Sequence, residues 1–138
     1  MSFLAPLAPL RAHAGSRLTQ GLADDQVLAL AANHPDLAAA ITAAASEYAR
    51  IKDSITGLLE LDEAAQIAAM QDGFVNFYAD DAVVPYIALA ACGPWVISLK
   101  GAVLYDAGGY GMLGFGHTPA DILAAAGKPQ VMANIMTP

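Results

Sequence analysis

The sequence predicts an α+β fold in which an antiparallel helical segment precedes a small antiparallel β-sheet and a short helix. Two observations predict this class. Apolar residues recur at spacings of three and four through residues 36–59, which is typical of a helix. After Asp80 and Asp81, the alanine-rich composition gives way to Val, Ile, Tyr, Trp, Gly and Pro, which favour strands and turns. We therefore divide the chain into a helical segment, 1–80, and a β-rich segment, 81–138.

The first elements follow from prolines and caps. Residues 1–22 predict an irregular leader. A short helix is expected from Asp24 to Ala32, because Pro35 stops it and suits the first turn of the next helix. Asn33 is the predicted cap of that next helix.

Two longer helices are predicted next. The helix Asp36–Leu59 carries an apolar seam made of Leu37, Ile41, Ala44, Tyr48, Ile51, Ile55 and Leu58. A second helix, Asp62–Ala79, begins with Asp62 as cap and Glu63 in its first turn, and its apolar stripe is Ile67, Met70, Phe74 and Phe77. The short link between them predicts a helical hairpin. The stripes suit either ordinary core packing or docking of another chain.

The β-rich segment predicts three strands, Val83–Leu89, Trp95–Leu99 and Ala102–Tyr105, with a tight turn at Lys100 and Gly101. The glycine-rich stretch GGYGMLGFGH, residues 108–117, comes next. A helix is then expected from Thr118, its predicted cap, with Asp121 in the first turn and its end at Gly127.

Composition excludes several classes of function. The chain has 138 residues, a net charge of −7, and only six Lys and Arg residues, which are spread singly. Without a basic patch, binding to nucleic acid or to an anionic membrane surface is not expected. The uncharged residues 82–99 are broken by Pro85, Gly93 and Pro94, so buried strands are favoured over a membrane span. No signal peptide is recognised, and a cytoplasmic protein is predicted.

A high apolar content indicates that part of the surface is covered. The chain is 57% hydrophobic and 14% charged, which is apolar for a small soluble protein. We expect a homo-oligomer or a portion of a larger protein. Its single cysteine, Cys92, has apolar neighbours and is predicted to be a buried structural thiol.

The spacing of chemical groups gives no catalytic or metal site. Gly109, Gly111 and Gly114 fit G-x-G-x-x-G, but the helix is predicted to start after the motif, so it would present no N-terminus to a phosphate. His13, His34 and His117 lack the spacing of metal ligands. His117 is predicted to be a structural hydrogen-bonding residue. Asp106 is open to two roles, an acid or base and, as favoured here, a carboxylate that caps the loop.

Residues 93–117, GPWVISLKGAVLYDAGGYGMLGFGH, resemble the small N-terminal domain of class III, fold type I aminotransferases that depend on pyridoxal phosphate. That domain has an antiparallel strand pair with a central glycine, then Asp, a glycine loop and Gly-His before a helix. The matching residues here are Gly101, Asp106, Gly108, Gly109, Tyr110, Gly111, Gly116, His117 and Pro119. The resemblance covers about 45 residues at the C-terminal end and leaves residues 1–80 unmatched.

The resemblance implies a function for the loop. It implies that the loop borders the substrate cavity, with Tyr110 as a specificity residue and with Gly109 and Gly111 allowing close backbone approach. It also implies pyridoxal 5'-phosphate as cofactor and an amino donor and a 2-oxo acid as substrates. The family's Schiff-base lysine belongs to a large domain, and Lys52, Lys100 and Lys128 do not match its context. We therefore expect these 138 residues alone to be inactive.

Two alternatives remain open at this point. The apolar seam and strands would also suit a non-catalytic module that assembles into homo-oligomers. A small independent nucleotide-binding protein is the weaker alternative, because it rests on the glycine spacing alone.

Overall fold

A computed structural model describes residues 3–75, 79, 84–107 and 114–129. A 3-10 turn, Ala5–Leu7, leads into α1 (Ala8–Arg11). Next come α2 (Asp24–Ala31), α3 (Pro35–Ile51), α4 (Thr56–Leu59) and α5 (Glu63–Gln71). The strands β1 (Ala88–Cys92), β2 (Trp95–Ser98) and β3 (Val103–Tyr105) precede α6 (Ala120–Ala126). This order confirms the predicted α+β class.

The three strands form an antiparallel sheet in the order β1-β2-β3. Lys100 and Gly101 lie in the turn between β2 and β3, as predicted. Gly101 has φ +70°, a backbone conformation that favours glycine. The predicted first strand, Val83–Leu89, is wrong in its bounds, since β1 begins only at Ala88. Pro85 has no N–H for a strand ladder, and the chain bends there.

Helix α3 packs against the sheet, mainly on β1 and also on β2. Its residues Leu37, Ile41 and Ala44 are buried. The seam of α3 therefore has a sheet as its partner in the described core. The buried cluster contains residues from both predicted segments: Leu7, Leu10, Val27, Ala31, Leu37, Ala40, Ile41, Ala44, Trp95, Ile97 and Val103.

The predicted helix Asp36–Leu59 is wrong in its length, because α3 ends at Ile51 and α4 is a separate short helix. Hydroxyl groups compete with the backbone at the break: Ser54 Oγ donates to the carbonyl of Ile51 at 2.7 Å, and Thr56 Oγ1 donates to that of Lys52 at 3.2 Å. The second helix also ends early, at Gln71, followed by Gly73 with φ +79°.

The buried face of α5 is polar, so the predicted stripe is wrong at Met70 and Phe74, while Ile67 is half-buried. Glu63 and Gln66 are buried, whereas Met70 and Phe74 are 52% and 79% exposed. Phe77 lies outside the described residues. The reason is that backbone donors, rather than apolar side chains, cover this face. Glu63 Oε2 accepts hydrogen bonds from the N–H groups of Leu18 at 2.8 Å and Thr19 at 2.6 Å.

The predicted caps are also corrected, because each side chain finds another partner. Asn33 donates to the carbonyl of Ala29, and His34 occupies the cap position of α3. Asp62 occupies the cap position of α5, but its carboxylate accepts from Ser16. Thr118 Oγ1 donates to the carbonyl of Ala91, and α6 starts at Ala120.

Two further expectations are wrong near the core. The leader is not irregular throughout, since its turn and α1 bury Leu7 and Leu10. Cys92 is half-buried rather than buried, and its Sγ lies 3.9 Å from Asp36 Oδ1, because this edge of β1 faces the start of α3.

Candidate functional site

The glycine-rich stretch is the site predicted from the sequence. Its proposed substrate residues Gly109, Tyr110 and Gly111 lie outside the described residues. The last four residues of the stretch, 114–117, are described, and so are Asp106 and Ala107 just before it. A pair of backbone hydrogen bonds joins the C-terminal end of the stretch to the residue pair before β2: His117 N–H donates to Gly93 O at 2.7 Å, and Gly93 N–H donates to His117 O at 3.0 Å.

Asp106 and His117 form a second connection across the base of this stretch. His117 Nε2 lies 2.9 Å from Asp106 Oδ2, and Asp106 N–H donates to Pro94 O at 2.7 Å. This geometry agrees with a loop-closing carboxylate and a structural histidine. Burial raises the pKa of the nearby Tyr86 phenol, and the negative charge of Asp106 adds to that effect.

The backbone at the end of the stretch is constrained. Thr118 has φ +49°, which is uncommon for a residue with a branched Cβ. A Cβ added to Gly116, whose φ is +70°, would lie 2.9 Å from backbone atoms of Gly93. Close backbone approach therefore requires glycine here. Tyr105, before the stretch, and Phe115, within it, are 58% and 62% exposed.

A cleft of about 180 Å³ lies at the opposite end of the β2–β3 hairpin. Its lining residues are Leu10, Arg11, His13, Gly15, Arg17 and Lys100. Sequence reasoning missed this cleft, because the lining residues of the leader and Lys100 are more than eighty positions apart. Only folding of the leader across the hairpin turn brings these cationic side chains together.

Hydrogen bonds fix two of the cations in the cleft. Arg11 Nε donates to Gly101 O at 2.9 Å, and Arg11 also pairs with Asp24 at 2.7 Å. Lys100 is 5% exposed, and its Nζ donates to Gly15 O at 2.9 Å and to Leu59 O at 3.3 Å. The lysine thus ties the hairpin turn to the leader and to the end of α4.

His13 is held between two polar side chains. Its Nδ1 lies 2.8 Å from Glu60 Oε1, and its Nε2 lies 2.7 Å from Tyr48 Oη. The hydrogen bond from His13 lowers the pKa of Glu60, with the N–H of Ala14 as a second donor. The carboxylate beside the cleft is therefore kept ionised and has its own donors.

No group of His, Cys, Asp or Glu suited to a metal ion occurs in the described ranges. In the same ranges, no single helix is long and apolar enough to cross a membrane. Helices α2 and α3 reach that length and apolar content only when they are taken together, and the pair is bent by 118°. Comparisons of the chain with models of protein families, with curated proteins and with solved structures give no match.

Proposed function

We propose that the chain is the N-terminal portion of a class III aminotransferase that transfers an amino group from an amine or amino acid to a 2-oxo acid. The observation that carries the proposal is the ordered match of residues 93–117 to the family's strand pair, Asp, glycine loop and Gly-His. In this proposal the full protein is a cytoplasmic homodimer that uses pyridoxal 5'-phosphate.

The arrangement around the glycine loop supports the proposal. A loop like the family's follows an antiparallel strand pair. The residues at its two ends must be held together, so that the loop projects from one edge of the sheet. The β2–β3 hairpin turns at Gly101, and His117 at the end of the loop contacts Gly93 and Asp106, which lie before the loop. Tyr110 is the proposed specificity residue, and Gly109 and Gly111 are proposed to let the backbone approach the substrate.

The described residues do not themselves fit a cofactor site. Lys52 is paired with Asp53, the amine of Lys100 is held by two carbonyl oxygens, and Lys128 is exposed after α6. The cleft beside Lys100 has a volume of about 180 Å³, which is smaller than the roughly 300 Å³ at which ligand sites begin. The proposal therefore assigns substrate recognition, and no catalytic step, to this chain.

The test uses the intact gene product with pyridoxal phosphate. We expect an absorption band of lysine-bound cofactor and transfer from an amino donor to a 2-oxo acid. Tyr110→Ala is expected to change KM for the amino donor by about tenfold while the band is retained, with Tyr105→Ala as the matched control. A gene product that has no such band and encodes no Schiff-base lysine would overturn the proposal.

A homo-oligomerising module without catalysis is the second candidate, and exposed apolar side chains favour it. Phe74 and Val75, which follow α5, are 79% and 95% exposed, and Leu123 on α6 is 57% exposed. Large exposed apolar patches mark interaction surfaces, and these side chains would contribute to such a patch. Light scattering on the 138-residue chain should then give one defined oligomer, and a monomer or polydisperse aggregate would contradict this candidate.

A further inference from the structure

The cleft between the leader and the hairpin turn carries an inference that is independent of the aminotransferase proposal. It is lined by Arg11, Arg17, Lys100 and His13, with no carboxylate among the lining residues. The chain as a whole carries a charge of −7 and has only six Lys and Arg residues. Three of those six cations converge on one small cleft, so its lining differs in charge from the rest of the molecule.

Arg17 is the cation in the cleft that has no partner among the residues that the structure describes. Arg11 is paired with Asp24, and Lys100 donates to two carbonyl oxygens. Arg17 is half-buried, and among the described residues its guanidinium makes no hydrogen bond or ion pair. Its five N–H donors remain available in a fork that matches oxyanion geometry.

The neighbouring carboxylates are each engaged by other donors. Glu60 accepts from His13 and from Ala14 N–H, and Asp62 accepts from the N–H and the hydroxyl of Ser16. They hold the leader in position beside the cleft and are not among its lining residues. The positive charge of Arg17 is therefore not neutralised by a direct contact.

The size of the cleft limits what it accepts. A volume of about 180 Å³ is smaller than the roughly 300 Å³ at which sites for drug-sized ligands begin, but it exceeds the roughly 30 Å³ share of one water several times. We propose that the cleft binds a small tetrahedral oxyanion, either free phosphate or sulfate or the phosphate group of a small monoester. Arg17 is the principal donor, with Arg11 and Lys100 contributing positive charge.

This site is distinct from the glycine loop. The loop base lies at the Trp95 and Tyr105 end of the hairpin, and the cleft lies at its Lys100 end. The strand β2, Trp95–Ser98, and the turn residue Leu99 separate the two places, and the strand alone spans about 10 Å at roughly 3.3 Å per residue. A ligand as small as phosphate cannot contact both places.

The experiment titrates the full 138-residue chain with inorganic phosphate, sulfate and glycerol phosphate at constant ionic strength set by chloride, followed by amide NMR shifts. We expect saturable shifts at Gly15, Arg17 and Gly101. Arg17→Gln should weaken binding about tenfold, because one charge-assisted donor fork is lost. Arg50→Gln, an exposed arginine paired with Glu47 on α3, is the matched control and should change binding less than twofold.

The three ligands separate the sources of the oxyanion. Tighter binding of glycerol phosphate supports a monoester ligand, and equal binding of all three supports the free anion. The absence of saturable shifts, or equal weakening by the Arg17 and Arg50 substitutions, would overturn the proposal, because the effect would then reflect overall charge.

Discussion

At the scale of single residues, the buried Glu63 fixes the path of the leader. Its carboxylate accepts the N–H groups of Leu18 and Thr19, and the residue is 1% exposed. Buried backbone donors need a partner, since each unsatisfied group costs about 1–3 kcal/mol. A residue predicted only to complement a helix dipole therefore connects two separate parts of the chain.

Replacing Glu63 tests this role. We expect Glu63→Ala to lower the free energy of unfolding by about 2 kcal/mol, because two partly buried N–H groups lose their acceptor. Glu63→Gln keeps one carbonyl oxygen and should cost less, about 1 kcal/mol. Urea unfolding measures both, with the exposed Asp53→Ala as a control expected to stay within about 0.5 kcal/mol. Equal effects of the three substitutions would contradict this account.

The acidic side chains beside the leader predict the pH dependence of stability. The hydrogen bond from His13 lowers the pKa of Glu60 below its ordinary value, and the N–H and hydroxyl of Ser16 do the same for the pKa of Asp62. The unfolded chain then binds more protons than the folded one, so stability rises with pH in this range. The contribution is complete above the ordinary values and is lost as pH falls through the lower, folded values.

Urea midpoints between pH 7 and pH 3 check this dependence. The double variant Glu60→Gln with Asp62→Asn should be less stable at pH 7 and should lose less stability between pH 5 and pH 3. Asp121→Asn, at an exposed position on α6, is the control and should keep the wild-type slope. An unchanged slope in the double variant would show that other groups cause the acid sensitivity.

At the scale of elements, two glycines differ in whether their backbone position could accept a side chain. Gly116 has φ +70° and lies against the backbone of Gly93, where it closes the base of the glycine loop. Gly57 lies in the short helix α4, and a Cβ there would meet nothing within 4 Å. The two positions therefore form a matched pair for substitution by alanine.

We expect Gly116→Ala to destabilise the protein by about 2 kcal/mol, because both the positive φ and the 2.9 Å approach oppose a Cβ. Gly57→Ala should be neutral or stabilise by up to about 1 kcal/mol, because alanine has the higher helix propensity. Thermal unfolding compares them. A neutral Gly116→Ala would mean that the bridge between Gly93 and His117 is not needed for stability.

At the scale of the whole molecule, helices α1, α2 and α3 share one core with the sheet. Leu37 and Ile41 on α3 contribute to the same buried cluster as Trp95 and Ile97 on β2. Far-UV circular dichroism reports mainly on the helices, whereas fluorescence of the single tryptophan reports on the sheet. A shared core predicts that both signals follow one cooperative transition.

A comparison of the two signals tests this prediction. Their thermal midpoints should coincide, and Ile41→Ala should lower both by the same amount, since it removes about 2–5 kcal/mol of packing. The exposed Thr42→Ala is the control and should shift neither midpoint by more than a degree or two. Two separated transitions would instead indicate that the helical and β-rich segments fold independently.

The sequence by itself determined the class of fold and several local features. Apolar spacing indicated α3, Pro35 marked its start, and the Lys100 and Gly101 turn followed from composition. These features depend on neighbouring residues, whose propensities act over a few positions. The helix ends were less predictable, because hydroxyl and carboxylate side chains chose partners elsewhere, as Asp62 did with Ser16.

Only the tertiary structure decided which side chains and elements pack against one another. It turned the seam of α3 onto the sheet, buried Glu63 in place of an apolar stripe, and brought Arg17 to Lys100 to form the cleft. The two cations are eighty-three positions apart in the printed sequence. No local pattern encodes such a pairing, because it follows from how the leader satisfies its backbone hydrogen bonds against α5 and the hairpin turn.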